Sequence, residues 1–241
     1  MEKKFELTDE TIVCERLEYT QSNIESGFYN EECCTINDDG YREAKPVTLY
    51  RIRALKDIEG VVRKGEVGGF VQFEENLSHE GNCWIDSNSK VMGKRSRICE
   101  DAQIKNSVID DGFDGEEGCR ICGSAEVCSS LIDGGGVDIS GEASIRESSI
   151  DGGRIYGNAH IRDSRIFIVA GGVIYGNAQV IDSLICGEDI SIHDNSKITN
   201  SRIEDAVSVR GNAVIDNSQV GYAKIGGNET IRNTYYVREE D

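Results

Sequence analysis

Between residues 98 and 231 an aliphatic residue returns every fifth to seventh position, with the same small and polar residues around it. The clearest units read Ile-x-Gly-x-Ala-x-Ile/Val: Ile155, Gly157, Ala159 and Ile161, then Ile174, Gly176, Ala178 and Val180. Aligned, the units give a first inward row at Ile98, Ile121, Ile139, Ile155, Ile174, Ile192, Val209 and Ile225. A second row follows at Ile104, Val127, Ile145, Ile161, Val180, Ile198, Ile215 and Ile231. A third lies at Ile109, Ile132, Ile150, Ile166, Ile185, Ile203 and Val220. Three short apolar faces per repeat describe a triangular prism. The pattern predicts an all-β chain wound as a left-handed parallel β-helix, a β-solenoid with coils of roughly 16 to roughly 19 residues.

Two further columns fix the register. Small residues at Ala102, Ala125, Ala143, Ala159, Ala178, Ser196 and Ala213 mark a tight corner, with Gly or Asp before them giving the backbone its freedom. Ser107, Ser130, Ser148, Ser164, Ser183, Ser201 and Ser218, continued by Thr234, form a ladder whose hydroxyls are expected to bond between coils. Seven equivalent serines point to structure rather than to a nucleophile. Weaker units place Cys83 and Ser89 in the small-residue column and start the solenoid near Leu77, giving eight to nine coils. At one strand spacing per coil the rod is roughly 40 Å long. The long step from Ile98 to Ile121 predicts that 110–118 loops out.

Residues 1–76 read as a small N-terminal β cap. Lys4–Leu7 and Thr48–Leu55 alternate in polarity as strands do, and the acidic stretch with Cys33, Cys34, Asp38 and Asp39 reads as a loop between them. Such a cap covers the strand edge and apolar cross-section that a first coil exposes. Residues 77–236 form the solenoid, and 237–241 a charged tail. Thr234–Val237 with the acids after them suit a closing plug.

Net charge is −18 and the pI near 4.6. Residues 1–76 hold 17 acids and 10 bases, and 77–241 hold 27 and 16, so the acidity is spread along the chain. That disfavours direct binding to nucleic-acid phosphates or an anionic membrane. It suits either solubility or docking on a basic partner, including imitation of DNA. No run approaches ~20 apolar residues and the start carries no apolar leader, so a cytoplasmic protein with reduced thiols is expected.

Leu49–Asp57, Lys64–Val71 and Glu75–Trp84 together resemble the opening segment of the YdcK-like family. The resemblance covers residues 47–95, with the rest similar only through the repeat. It implies a bacterial, phage or prophage β-solenoid, of a kind often called a transferase because hexapeptide acyltransferases share its coil. The label rests on shape, so the resemblance implies the fold and no particular chemistry.

An acyltransferase of that type needs a histidine base beside acetyl-CoA at a subunit cleft, as in a trimer. Of His79, His160 and His193, the best-ordered corner offers His160 with Asn158, although no carboxylate is spaced to orient it. Cys119 and Cys122 form a Cys-x-x-Cys, and the register puts Cys99 beneath Cys122. The three mark a candidate metal site for structural zinc, with Cys128 or a loop carboxylate as fourth ligand. A Cys99–Cys122 disulfide competes with that reading. Phosphate-binding loops, nucleophile elbows and Thr-x-Thr rows are absent from the sequence, and one Trp offers little to the aromatic rows usual on polysaccharide-binding β-helices. Two functions follow from these residues. The first is a non-catalytic acidic interaction scaffold binding a host protein. The second is a hexapeptide-repeat acyltransferase.

Overall fold

The structure, a computed structural model, describes residues 2–19, 42–111, 118–134, 136–163, 165–168, 172–182, 184–187, 189–200, 202–203 and 206–237. The described chain is a β-solenoid of stacked parallel coils. Three sheets form its sides: the first has 12 strands, the second 9 and the third 8. Ile139 pairs with Ile121 and Ile155, Ile145 with Val127 and Ile161, and Ile150 with Ile132 and Ile166, in parallel and in register. The first and third aliphatic rows are buried along their whole length, and the second along all but its last member. Half-buried Ile231 packs on the last coil. Because each row climbs vertically, one narrow stripe of Ile and Val suffices as the core. A chain of modest hydrophobic content, 38%, can therefore fill its interior.

The corners explain the polar punctuation. Gly123, Gly141, Gly157, Gly176, Gly211 and Gly227 share a positive φ of 64–75° at one corner. A Cβ at Gly176 would lie 2.9 Å from the backbone N and O of Asp194 in the next coil. At a second corner the left-handed residue is Asn106, Ser129, Glu147, Asp163, Asp182, Asn200, Asn217 or Asn233, at φ 45–53°. Asn and Asp tolerate this region better than other L-residues, so their recurrence before the serine column has a conformational cause. The described serines bond between coils as expected. Ser107 Oγ accepts the N–H of Ser130, and Ser130 Oγ that of Ser148, while each hydroxyl donates to the carbonyl two residues before it. Ser89 departs from its expected column. Its partner is Ser107, whose N–H it accepts at 3.0 Å, so Ser89 opens the serine ladder.

A ladder beyond the expectation runs along the glycine corner. Asn158 Nδ2 donates to Asn177 Oδ1, Asn177 to Asn195, Asn195 to Asn212 and Asn212 to Asn228, at 2.9–3.1 Å. Each Asn supplies one donor and one acceptor to a neighbour one coil away.

Strands β1 (Phe5–Tyr19) and β2 (Arg42–Ala54) form an antiparallel hairpin, longer than the alternating segments suggested. The acidic loop expected between them falls mostly at 20–41, outside the described residues. Strand β2 pairs antiparallel with β3 (Val67–Val71), and β3 pairs parallel with Lys90–Val91. Coil stacking therefore begins at Phe70, before Leu77, and the cap is continuous with the first sheet. Ile98 and Ile121 stay in register across the long step at 110–118, most of which lies outside the described residues. At the far end Tyr235–Val237 pair with Gln219–Gly221 as the last rung of the first sheet. Tyr236 registers with inward Val220, which continues the coil where a plug had been expected. Arg238–Asp241 lie outside the described residues.

The cap solves a bonding problem that every solenoid meets at its first coil. In each later coil the carbonyl of the small-residue column accepts an amide from the coil before: Ala102 from Trp84, Ala125 from Gln103, Ala143 from Glu126. Cys83 occupies that column in the first coil, with no amide before it. The wholly buried side chain of Lys4 takes the missing place. Its Nζ donates to Cys83 O at 2.9 Å, with Gly81 O at 3.4 Å and Glu80 O at 3.5 Å. Phe5 stacks on His79 at 4.3 Å, and the Lys4 N–H donates to His79 Nδ1.

Candidate functional site

The three histidines are held in different ways. His79 accepts the Lys4 amide at Nδ1 and lies 2.9 Å from Glu74 Oε1 at Nε2. The imidazole therefore bonds as the Nε2–H tautomer, and both nitrogens are engaged. Hydrogen bonds from Lys3 and then His79 hold the Glu74 carboxyl below its ordinary range. His193 packs on Tyr175, which packs on Tyr156, with ring centroids 4.8 and 4.9 Å apart and nearly parallel. Its Nδ1 lies 3.2 Å from Asp194 Oδ1. His160 is exposed on the strand His160–Arg162, between Ser144 and Gln179 in the second sheet. Among the described residues no carboxylate bonds it. Asn158 lies at the same turn with its amide donating into the asparagine ladder. The pair expected to act together shares a rung, but no hydrogen bond joins the two side chains among the described residues.

The cysteines divide differently from the expectation. Cys99 and Cys122 do stack, each following an inward Ile in register. Cys119 joins the buried core among the aliphatic rows instead, where burial pushes its thiol far up. An odd offset explains the split: Cys119 precedes Arg120 and Cys122 follows Ile121, so alternation along the strand sends their side chains different ways. Cys128 belongs to the second sheet, between Lys105 and Arg146. The third group beside the two thiols is Glu100, and the donor atoms of Cys99, Glu100 and Cys122 all lie within 4.8 Å of one another. Burial raises the Cys122 thiol to about 11, with Arg120 drawing it down. It is protonated at neutral pH and is no ready nucleophile. Cys14, Cys83, Cys99, Cys119, Cys122 and Cys128 are free thiols.

Cys99 also borders an apolar recess. Glu74, Leu77, Ser78, His79, Arg97, Cys99 and Arg120 line a cleft where the lead-in segment crosses the third sheet. That sheet presents Arg97, Arg120, Asp138, Arg154, Val173, Ser191, Ser208 and Lys224 outward, each beside an inward Ile or Val. Four of the eight are basic in a chain of net charge −18, whereas many acids occupy corners, Glu147, Asp163 and Asp182 among them. Exposed Glu147 has its carboxyl raised by the hydrogen bond and charge of Asp163, a like-charge ridge along one edge. Bases are thus frequent on the third sheet, and acids recur at the corners.

No protein-family model matches this chain, and no curated protein matches it significantly. No helix among the described residues is long and apolar enough to cross a membrane.

Sequence reasoning missed Lys4, Glu100 and Arg120. Glu100 had a signal: it stands two places before Ala102, where Gly81, Gly123, Gly141, Gly157, Gly176 and Gly211 precede the small residue of their own coils. Arg120 was visible inside the Cys-x-x-Cys, and its meaning came only with the register. Lys4 gave no signal, since its partners lie more than seventy residues away.

Proposed function

We propose that this protein is a non-catalytic acidic β-solenoid that acts as an interaction scaffold for a protein partner with a basic surface. The observation that supports it is the contrast between constant inward rows and changing outward ones. The second sheet shows Gln103, Glu126, Ser144, His160, Gln179, Lys197, Val214 and Thr230 in vertical succession, no two neighbours alike. A uniform core with a varied skin suits a long rigid contact surface, as in other repeat proteins. The acidic edges steer basic partners and repel further copies of the chain. In this reading the resemblance to YdcK-like solenoids concerns shape, and the partner belongs to a host cell. A DNA-binding protein whose groove accepts the acidic edge is one form of such a partner.

The test pairs partner capture with cofactor binding. Wild-type protein retains a specific partner from the source cells, and reversal of the edge charges (Glu147→Lys, Asp163→Lys, Asp182→Lys) releases it, while acetyl-CoA leaves the melting temperature unchanged. A rise in melting temperature with acetyl-CoA, with turnover lost in His160→Ala, overturns the scaffold reading in favour of an acyltransferase.

A further inference from the structure

We infer that Cys99, Glu100 and Cys122 form a binding site for a thiophilic divalent cation, zinc above others. The inference is independent of the scaffold reading, because it rests on donor geometry at one corner and needs no partner.

The fold builds the site from its own repeat. Residues in one column of a parallel sheet sit ~4.8 Å apart, and two thiolates sharing a tetrahedral zinc at ~2.3 Å each are about 3.8 Å apart. Cys99 and Cys122 are consecutive members of such a column, and with a Glu100 oxygen their donors already lie within 4.8 Å. Small rotamer adjustments close the remainder. Glu100 is held at a left-handed corner and anchored there, one carboxylate oxygen accepting the Gly123 N–H at 2.9 Å. Asp194 makes the equivalent bond to Gly211, so the anchoring bond belongs to the corner. What is particular to Glu100 is the pair of thiols beside it.

Charge and softness select the ion. Two thiolates and a carboxylate bring three negative charges, and a dication leaves one, which the adjoining Arg120 guanidinium balances. The Arg120 guanidinium lies beside both thiols. Contacts of this outer kind orient a ligating sulfur. Binding releases the two thiol protons. Thiolate donors favour zinc over magnesium or calcium, which take oxygen. Three protein donors leave the fourth position to water or to a donor from another molecule, and Cys99 also lines the cleft, so that position borders solvent.

Metal-free full-length protein under reductant is titrated with Zn2+ and, separately, with Co2+. One equivalent of each binds, and cobalt gives a thiolate charge-transfer band with the intense visible bands of a tetrahedral site. Cys99→Ser and Cys122→Ser each weaken zinc by more than about 100-fold, above the roughly 10- to 100-fold range of outer-contact changes into which Arg120→Gln falls. Cys128→Ser, on another sheet, changes nothing. The inference is overturned if wild-type protein shows no cobalt–thiolate band, whatever the variants do. It is equally overturned if zinc binding survives loss of both thiols, or if the pair is found as a disulfide whose reduced form binds no metal.

Discussion

Replacing Lys4 with Met probes how the rod is closed at its first coil. The ammonium donates to Cys83 O at 2.9 Å, and its loss leaves a buried carbonyl that in later coils would hold a backbone amide. A hydrogen bond from a charged donor contributes about 1.5–3 kcal/mol, and an orphaned buried acceptor costs about 1–3 kcal/mol. Met keeps the apolar stem and removes the penalty of burying a charge, which works in the opposite direction. The net expectation is a loss of about 1–2 kcal/mol, confined to the first coil because each coil contacts only its neighbours. The single Trp, Trp84, is buried in that coil and donates its amide to Ala102, so its emission reports the first coil alone. In urea, K4M should lower the midpoint followed by Trp emission while the far-ultraviolet dichroism of the remaining coils moves little. There is also a pH signature. Burial lowers the Lys4 pKa below 10.5. The unfolded chain therefore binds more protons in the window beneath that value, and stability rises with pH through it. K4M lacks this rise. A Trp midpoint that is unchanged or raised in K4M would refute the capping role.

Four further outcomes follow from the same geometry. A left-handed L-residue costs roughly 1 to roughly 2 kcal/mol. Gly176→Ala should exceed that strain because its Cβ meets backbone at 2.9 Å, whereas Gly227→Ala at the open last corner should cost the strain alone; urea midpoints separate the two. Asn195→Ala breaks two ladder bonds and should lose about 1 kcal/mol, more than Asn228→Ala, which breaks one. Ile161→Ala, in the buried second row, should lose about 2–5 kcal/mol by the same assay, and an effect below ~1 kcal/mol would contradict continuous packing. Glu74→Gln should remove an acid-side loss: because the carboxyl is held low, its contribution is full above about pH 4.5 and disappears as pH falls through the folded value, so the variant and wild type converge in acid.

The fold was legible because inward rows are a one-dimensional code. Ile121, Ile139 and Ile155 needed only counting to be placed above one another. What counting does not give is the fate of groups that have no repeat partner. Lys4 reads as a solvated terminal lysine, and only the absence of an amide before Cys83 makes it a capping group. The Cys-x-x-Cys suggested three convergent thiols, but strand alternation buries Cys119 and leaves Glu100 to complete the cluster. The asparagines were legible as turn formers, since Asn suits a corner, while their bonds along the rod require the coils to stack at constant pitch. His160 opens a strand two residues after Asn158, and adjacency in sequence carried no information about an orienting carboxylate.

Vertical register is the claim on which all of this rests, and a distance series tests it most directly. Nitroxides attached by thiol-independent chemistry at Glu126 and, in turn, at Lys197, Val214 and Thr230 span four, five and six coils of the second sheet. In-register stacking gives backbone separations of about 19, about 24 and about 29 Å, rising by one strand spacing per coil. Separations that fail to rise in equal steps, or that scatter broadly, would contradict it.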